Sequence, residues 1–586
     1  MREQGNLLLA ILLSLLILLG FQYFYEVPNA KKEIENKQYE EKIENSFNEN
    51  NSNILEDETE AYLSINEALE KNKRVKIEAP RLIGSISLQG LKIDDLTLKD
   101  YKESMDKNSN SVTLFKPSQT KGAYFSNFGW IKSSSNQLIE LPNDQTIWDS
   151  DNNILDDKSS IKFNWTNNQN INFQQEISVD ENYMFVVKQS VTNNSAENIS
   201  LNPVAKISRT DTPETLGFFI LFEGLLGVVN DVLEEINYDE LRKKGPKEFT
   251  SQGGWFGITD KFWLATIIPE PSSNVKARYQ YYKKNNKEKY QVDYIGSKIE
   301  VSPGQTTTIT NKLFAGAKEV KLLDKYEKQY NISRFDLAID FGWYYFLTKP
   351  FLYVLIFFKN LFGNFGLSIL FVTLLIKLAF YPLANKSYIA MQRMKNMQPE
   401  ILRVREAHKA DKAKMNQEMM ALYKREKINP AAGCLPMVIQ IPVFFALYKV
   451  LFVSLAMRHA PFYLWVQDLS AADPTSILNL FGLIPWDPNL YIPKFLNIGL
   501  WPIIMGLSMY IQQKLNPQPT DPIQAKIFTF LPIFFTFILA PFPAGLVIYW
   551  AFNNILSMGQ QLLIKKRLEK KNTFQVSYLS LKQRNI

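Results

Sequence analysis

The chain has 586 residues, a formal net charge of +7 and one cysteine, Cys434. That length allows several domains, and a lone cysteine excludes an intramolecular disulfide and a cysteine-based metal site. So modest a charge does not imply a nucleic-acid groove.

Residues 1–6 form a short head with Arg2, and 7–25 are apolar and long enough to cross a bilayer. The VPNA that follows lacks the small residues of a cleavage site, so an uncleaved transmembrane anchor is expected over 1–25. Residues 26–60, rich in Asn, Glu, Lys and Ser, read as a flexible tether.

Over 61–317 short β-like runs recur between polar turns: SVTLF, NFQQEISV, YMFVVKQSV, VAKISRT, FWLATII, YQVDYI and TTTITNKLFAG. They predict a large β-sandwich. The apolar stretch 217–230 is too short to span and is broken by Glu223, so it reads as buried strand. The two histidines, His408 and His459, lie elsewhere, and no carboxylate pair stands out. A structural or docking domain is favoured over a carbohydrate enzyme, with a groove for a partner protein or an extended polymer as the lesser alternative. Residues 318–331 predict a charged linker helix. The aromatic stretch 341–358 is cut by Lys349-Pro350, which predicts an interfacial helix on the outer leaflet.

Further spans are expected at 365–382, 433–455, 496–514, 527–540 and 543–564. With the first, six spans put both termini on one side. The segment 383–430 holds eleven Lys or Arg against five Asp or Glu, and the tail from Lys565 holds seven against one. The positive-inside rule makes their side the cytoplasm and leaves the large polar region outside.

The segment 383–430 predicts a hairpin of two helices, the first broken or kinked at Pro399. Met391, Met394 and Met397 recur in the first helix, and Met415, Met419 and Met420 follow in the second. They either hold the hairpin together or offer a soft surface to hydrophobic client segments. The basic residues of the hairpin suit anionic lipid headgroups or ribosomal RNA, and ordinary positive-inside bias explains them nearly as well.

Lys377 lies inside the run FGLSILFVTLLIKLAFYP. A cation there costs about 3 kcal/mol on insertion scales. Snorkelling to the headgroups is one explanation, and the one favoured for Lys449, which lies toward the outer end of its span. A hydrated functional site is the other. No proposed span contains a carboxylate, so Lys377 has no intramembrane counter-ion by sequence. Thr373, Gln440, Asn553, Asn554, Gln560 and Gln561 are further polar groups in the spans.

The strings GNFGLSILFVTLLIKLAFYPL, QEMMALYKREKINPAAGCLPMVIQIPVFFALY, FYLWVQDLSAADP and FPAGLVIYWAFNN together resemble the YidC/Oxa/Alb family of membrane protein insertases. GGW at 253–255 resembles a motif of the Gram-negative YidC periplasmic domain. The resemblance implies a polytopic α-helical inner-membrane protein: six transmembrane helices with a five-helix insertase core, and a large periplasmic β-supersandwich. It implies insertion and folding of membrane proteins, alone or beside the Sec translocon, with no nucleotide, cofactor or enzyme chemistry. The implied partners are nascent membrane proteins, the lipid bilayer, the ribosome and the signal recognition pathway, and not DNA. It puts Lys377 in a hydrophilic groove, with Thr373, Gln440, Tyr549, Trp550 and Asn553 as candidate neighbours. The sequence departs from the family in having Lys377 where Arg is common and Tyr549-Trp550 where Tyr-Tyr is frequent. It also carries extra sequence around IPWDPNLYIPKFL.

Overall fold

The computed structural model describes residues 62–584, except 107, 134–138, 216–220, 285, 343, 427–434, 487, 489–490, 494–495 and 516–521. Side chains at 435–439, 522–525 and 568–584 are also outside the description. The expected anchor over 1–25 and tether over 26–60 lie outside the described residues.

Two sheets face each other, one of eleven strands and one of nine. In the first, Ile199–Thr210 sits between Tyr124–Lys132 and Lys287–Gly296. In the second, Thr306–Ala317 sits between Met184–Asn193 and Trp263–Ile268. The alternation read in the sequence becomes alternation of faces, because successive side chains on a strand point to opposite sides. Along Ile171–Val179 every second residue is buried, Gln175 included. Gln175 bears that burial because its amide donates to the Phe128 carbonyl of the facing sheet at 2.9 Å.

The stretch 217–230 yields a buried strand only over Gly224–Val229; 217–220 lies outside the described residues. In GGW, Gly253 (φ 61°) and Gly254 (φ 86°) take left-handed backbone. A Cβ on Gly254 would lie 2.1 Å from the Val228 carbonyl oxygen. The turn aims Trp255 into the core, where its Nε1 donates to the Ser333 carbonyl at 3.1 Å. The motif thereby ties the sandwich to the segment leading into the helical region.

Two short helices, α1 (Ile65–Glu70) and α2 (Tyr238–Lys244), decorate the sandwich. α3 (Val320–Tyr330) closes it, packing Tyr326 against Phe314. α4 (Tyr345–Phe362) is one continuous helix of 18 residues with Pro350 inside it, although the sequence shows its run cut at Lys349-Pro350. The charge that seemed to cut the run is neutralised, since Lys349 Nζ lies 2.8 Å from Asp324 and 2.7 Å from Asp336.

α5 (Phe365–Ala379) ends three residues before the expected 382, and α6 (Tyr381–Asn396) leaves it at a bend of 66°. Pro382 explains the break, because it has no N–H to give the Leu378 carbonyl. α7 (Gln398–Ala407) and α8 (Lys412–Arg425) follow, so the first arm of the hairpin breaks at Met397, just before Pro399. The remaining helices are α9 (Leu435–Val453), α10 (Leu500–Leu515), α11 (Pro522–Ile538) and α12 (Ala544–Arg584). α10 starts four residues after the expected 496, and α12 runs on through the tail expected to be separate from 566. Among the described residues α4 is the one unbent helix long and apolar enough to cross a membrane, and α5 with α6 passes only as a bent pair.

Candidate functional site

Because α5 stops at Ala379, Lys377 stands in its last turn rather than deep inside a longer helix. The carbonyl end of a helix favours a cation. Lys377 is half-buried, and its ammonium donates to Ser557 Oγ at 2.7 Å and Gln440 Oε1 at 3.4 Å. Gln560 Nε2 donates to the Lys377 carbonyl at 3.1 Å, which satisfies one of the orphan acceptors of the α5 terminus. The cluster thus draws on α5, α9 and α12. Both partners of the ammonium are neutral, and no ion pair of Lys377 occurs among the described residues.

The other candidates are placed less uniformly. Thr373 is buried and donates its hydroxyl to the Ile369 carbonyl of its own helix at 2.6 Å. Asn553 is buried, and its carbonyl accepts from Ser557 Oγ at 2.8 Å, which orients the hydroxyl that meets Lys377. Tyr549 and Trp550 pack on Phe444, with ring centroids 6.4 and 4.8 Å away. They form an aromatic wall between α9 and α12, and the Tyr549 hydroxyl also hydrogen-bonds the side chain of Gln440, a partner of Lys377. Asn554 turns away and donates to Ser508 Oγ of α10 at 2.9 Å.

Ser557 escaped the sequence reading. The signal was present: it lies between Asn553 and Gln560 at i+4 and i+7, on one helix face.

The second lysine within an apolar helix behaves differently. Lys449 Nζ lies 2.7 Å from Asp340 Oδ2 in the segment that follows the sandwich. Snorkelling, favoured from the sequence, therefore gives way to a protein carboxylate. A cavity of about 1160 Å³ opens beside this pair, lined among others by Glu223, Tyr238, Phe445 and Tyr448.

The model of the YidC periplasmic domain matches residues 74–354, and that of the 60Kd inner membrane protein matches 357–571. The membrane protein insertase YidC of Rickettsia felis is 46% identical over 562 residues, covering 96% of this chain and 99% of the relative. That of Rickettsia conorii is 47% identical with the same coverage. The chain belongs to the YidC family of membrane protein insertases. An active YidC insertase crystal structure aligns at 16% identity, covering 83% of this chain and 92% of that one, with a TM-score of 0.32. A galactose mutarotase related enzyme from Lactobacillus acidophilus aligns at 12% identity, covering 41% and 97%, with a TM-score of 0.30.

In this YidC-family chain the hairpin has few fully buried side chains. Ala384, Ile401 and Leu422 are its buried apolar residues, and Arg425 reaches Glu400 at 3.0 Å. Met391, Met394, Met397, Met415 and Met419 are half-buried, and Met420 is exposed. One acidic trio, Asp324, Glu327 and Asp336, has metal-like spacing. The Lys349 ammonium already bridges two of its carboxylates, so the arrangement is that of an ion-pair clamp.

Proposed function

We propose that this protein is a polytopic inner-membrane insertase that captures polar parts of nascent membrane proteins at Lys377 and releases their apolar helices sideways into lipid. The observation that carries the reading is the contact of Lys377 Nζ with the neutral oxygens of Ser557 and Gln440. An ammonium held that way keeps a charge to offer a client carboxylate.

The magnitudes fit capture followed by release. A charge at the bilayer centre costs about 3 kcal/mol on insertion scales. Two opposite charges 4 Å apart attract by about 4 kcal/mol at an effective dielectric of 20, before desolvation is counted. The pair offsets the cost of entry without trapping the client. Burial of the client's apolar surface, about 25 cal/mol per Å², then drives it into lipid without nucleotide.

In this reading the chain crosses the inner membrane six times, counting the anchor expected at 1–25, with both termini cytoplasmic and the sandwich periplasmic. Lys377 and its neighbours on α9 and α12 line a hydrophilic groove, and the 66° turn from α5 into α6 carries the chain into the cytoplasmic hairpin. The exposed Met420 and half-buried methionines then face incoming clients, with the ribosome, the signal recognition pathway and the Sec translocon as partners.

The test is complementation in a strain depleted of its own insertase. Lys377→Arg is expected to support growth and client insertion, and Lys377→Glu is not. Full activity of Lys377→Glu would overturn the reading.

A further inference from the structure

Between α9 and α10 lies an ordered loop that turns its apolar side chains outward. Leu483 is 83% exposed and Leu480 52%, and Ile477, Phe481, Ile484 and Trp486 are also open. Residues 477–486, ILNLFGLIPW, carry no charge. In water such a surface would fold inward or be covered.

The loop is a built feature. Its base is closed by Ile477 N–H donating to the Ile498 carbonyl at 2.9 Å. Buried Asp473 locks the same point: Oδ1 accepts from Trp465 Nε1 at 3.0 Å and Thr475 Oγ1 at 2.7 Å. Its Oδ2 accepts from Trp501 N–H, in the first turn of α10, at 2.8 Å. At the tip, Phe481 N–H donates to the Ser476 carbonyl at 2.7 Å and Ile484 N–H to the Asn479 carbonyl at 3.0 Å. Asn479 Oδ1 accepts from Gly482 N–H at 3.0 Å. Much of the tip backbone is thus satisfied from within, which apolar solvent demands. Leu480 (φ 51°) and Phe481 (φ 58°) hold left-handed backbone, a costly conformation for bulky residues.

Two observations say what covers it. α10 is itself open and apolar farther along, at Leu507, Tyr510 and Ile511. α10 has 16 residues, or about 24 Å at 1.5 Å per residue, against a hydrocarbon core of about 30 Å. An uncharged apolar loop at its outer end, with a Trp, supplies the missing depth and the aromatic character of a membrane interface.

We propose that residues 477–486 are seated in the periplasmic leaflet as a fixed lipid anchor for the outer end of α10. This rests on the reading of α10 and α11 as membrane spans, and the test separates the two. Cys434 is the only cysteine, so a Cys434→Ser background accepts single probes. Leu483→Cys, Phe530→Cys on α11 and Lys158→Cys on the sandwich are each labelled with an environment-sensitive fluorophore. The full chain is reconstituted into phosphatidylethanolamine/phosphatidylglycerol vesicles containing a lipid spin-labelled near the headgroup end of its acyl chain. Quenching at 483 is expected to be at least half that at 530, with none at 158. Quenching at 530 but not at 483 would overturn the anchor and leave the spans standing, the loop then being covered by protein. Absence of quenching at both would overturn the spans and the anchor together. Leu483 is open, so its replacement leaves packing intact, and a thermal midpoint equal to that of the parent checks this.

Discussion

Lys449 Nζ and Asp340 Oδ2 lie 2.7 Å apart, joining the C-terminal end of α9 to the segment that follows the sandwich. Both side chains are mostly buried, at 14% and 19% exposure. Asp340 also accepts from the Phe222 N–H at 2.9 Å, so one carboxylate holds the helix and the sandwich together. Removing one partner of a buried pair leaves the other uncompensated, at a cost of about 3 kcal/mol. Asp340→Asn is expected to lower the stability of the full chain in detergent by that order. Asp340→Asn combined with Lys449→Met is expected to recover part of the loss, measured as a double-mutant cycle by chemical denaturation. A double variant weaker than the sum of the singles would contradict the pairing.

Lys318, after the last strand, is 3% exposed and donates to Thr259 Oγ1 at 2.8 Å. Burial pushes its ammonium down to about 8, although Asp260, Asp340, Glu223 and Glu235 oppose the shift. Between about pH 8 and its ordinary value of 10.5 the unfolded chain binds this proton more than the folded chain does. Stability from this group therefore rises with pH across that window, by roughly 3 kcal/mol in all. Lys318→Met is expected to flatten that contribution, seen as the difference between the two denaturation profiles from pH 8 to 10.5. Parallel profiles would exclude a buried charge at Lys318.

α10 and α11 approach closely at Gly506, where a Cβ would fall 2.0 Å from Thr536 Oγ1. Small residues permit such approach between membrane helices. Gly506→Ala is expected to cost about 1–3 kcal/mol by overpacking. Leu507→Ala, at a 58% exposed neighbour, is expected to change the thermal midpoint little. Equal effects of the two substitutions would argue against tight packing at this crossing.

How much the sequence discloses depends on how local each determinant is. The strands were legible because runs such as NFQQEISV alternate every second residue, and alternation is a property of one segment. The early end of α5 was also written locally, in Pro382. The continuity of α4 was not, because Lys349 is neutralised by Asp324 and Asp336, 25 and 13 residues away. Asp340 likewise sits far along the chain from Lys449, so the sequence offered only snorkelling for that lysine. At the site, a lysine without an acidic neighbour was visible, and so was the polar face of α12. The choice of Ser557 within that face needed the helix packing. Thr373 shared a face with Lys377, but its hydroxyl was claimed by the Ile369 carbonyl, an outcome that spacing alone does not decide.

The central claim is that the charge of Lys377 meets client charge. The direct measurement is insertion into proteoliposomes of two versions of a single-span client whose translocated tail carries either Glu or Lys at one position. Each version is tested with wild-type protein and with Lys377→Glu. The account predicts that wild-type protein inserts the Glu tail severalfold faster than the Lys tail, and that Lys377→Glu reverses the order. The same order of preference with both proteins would contradict it.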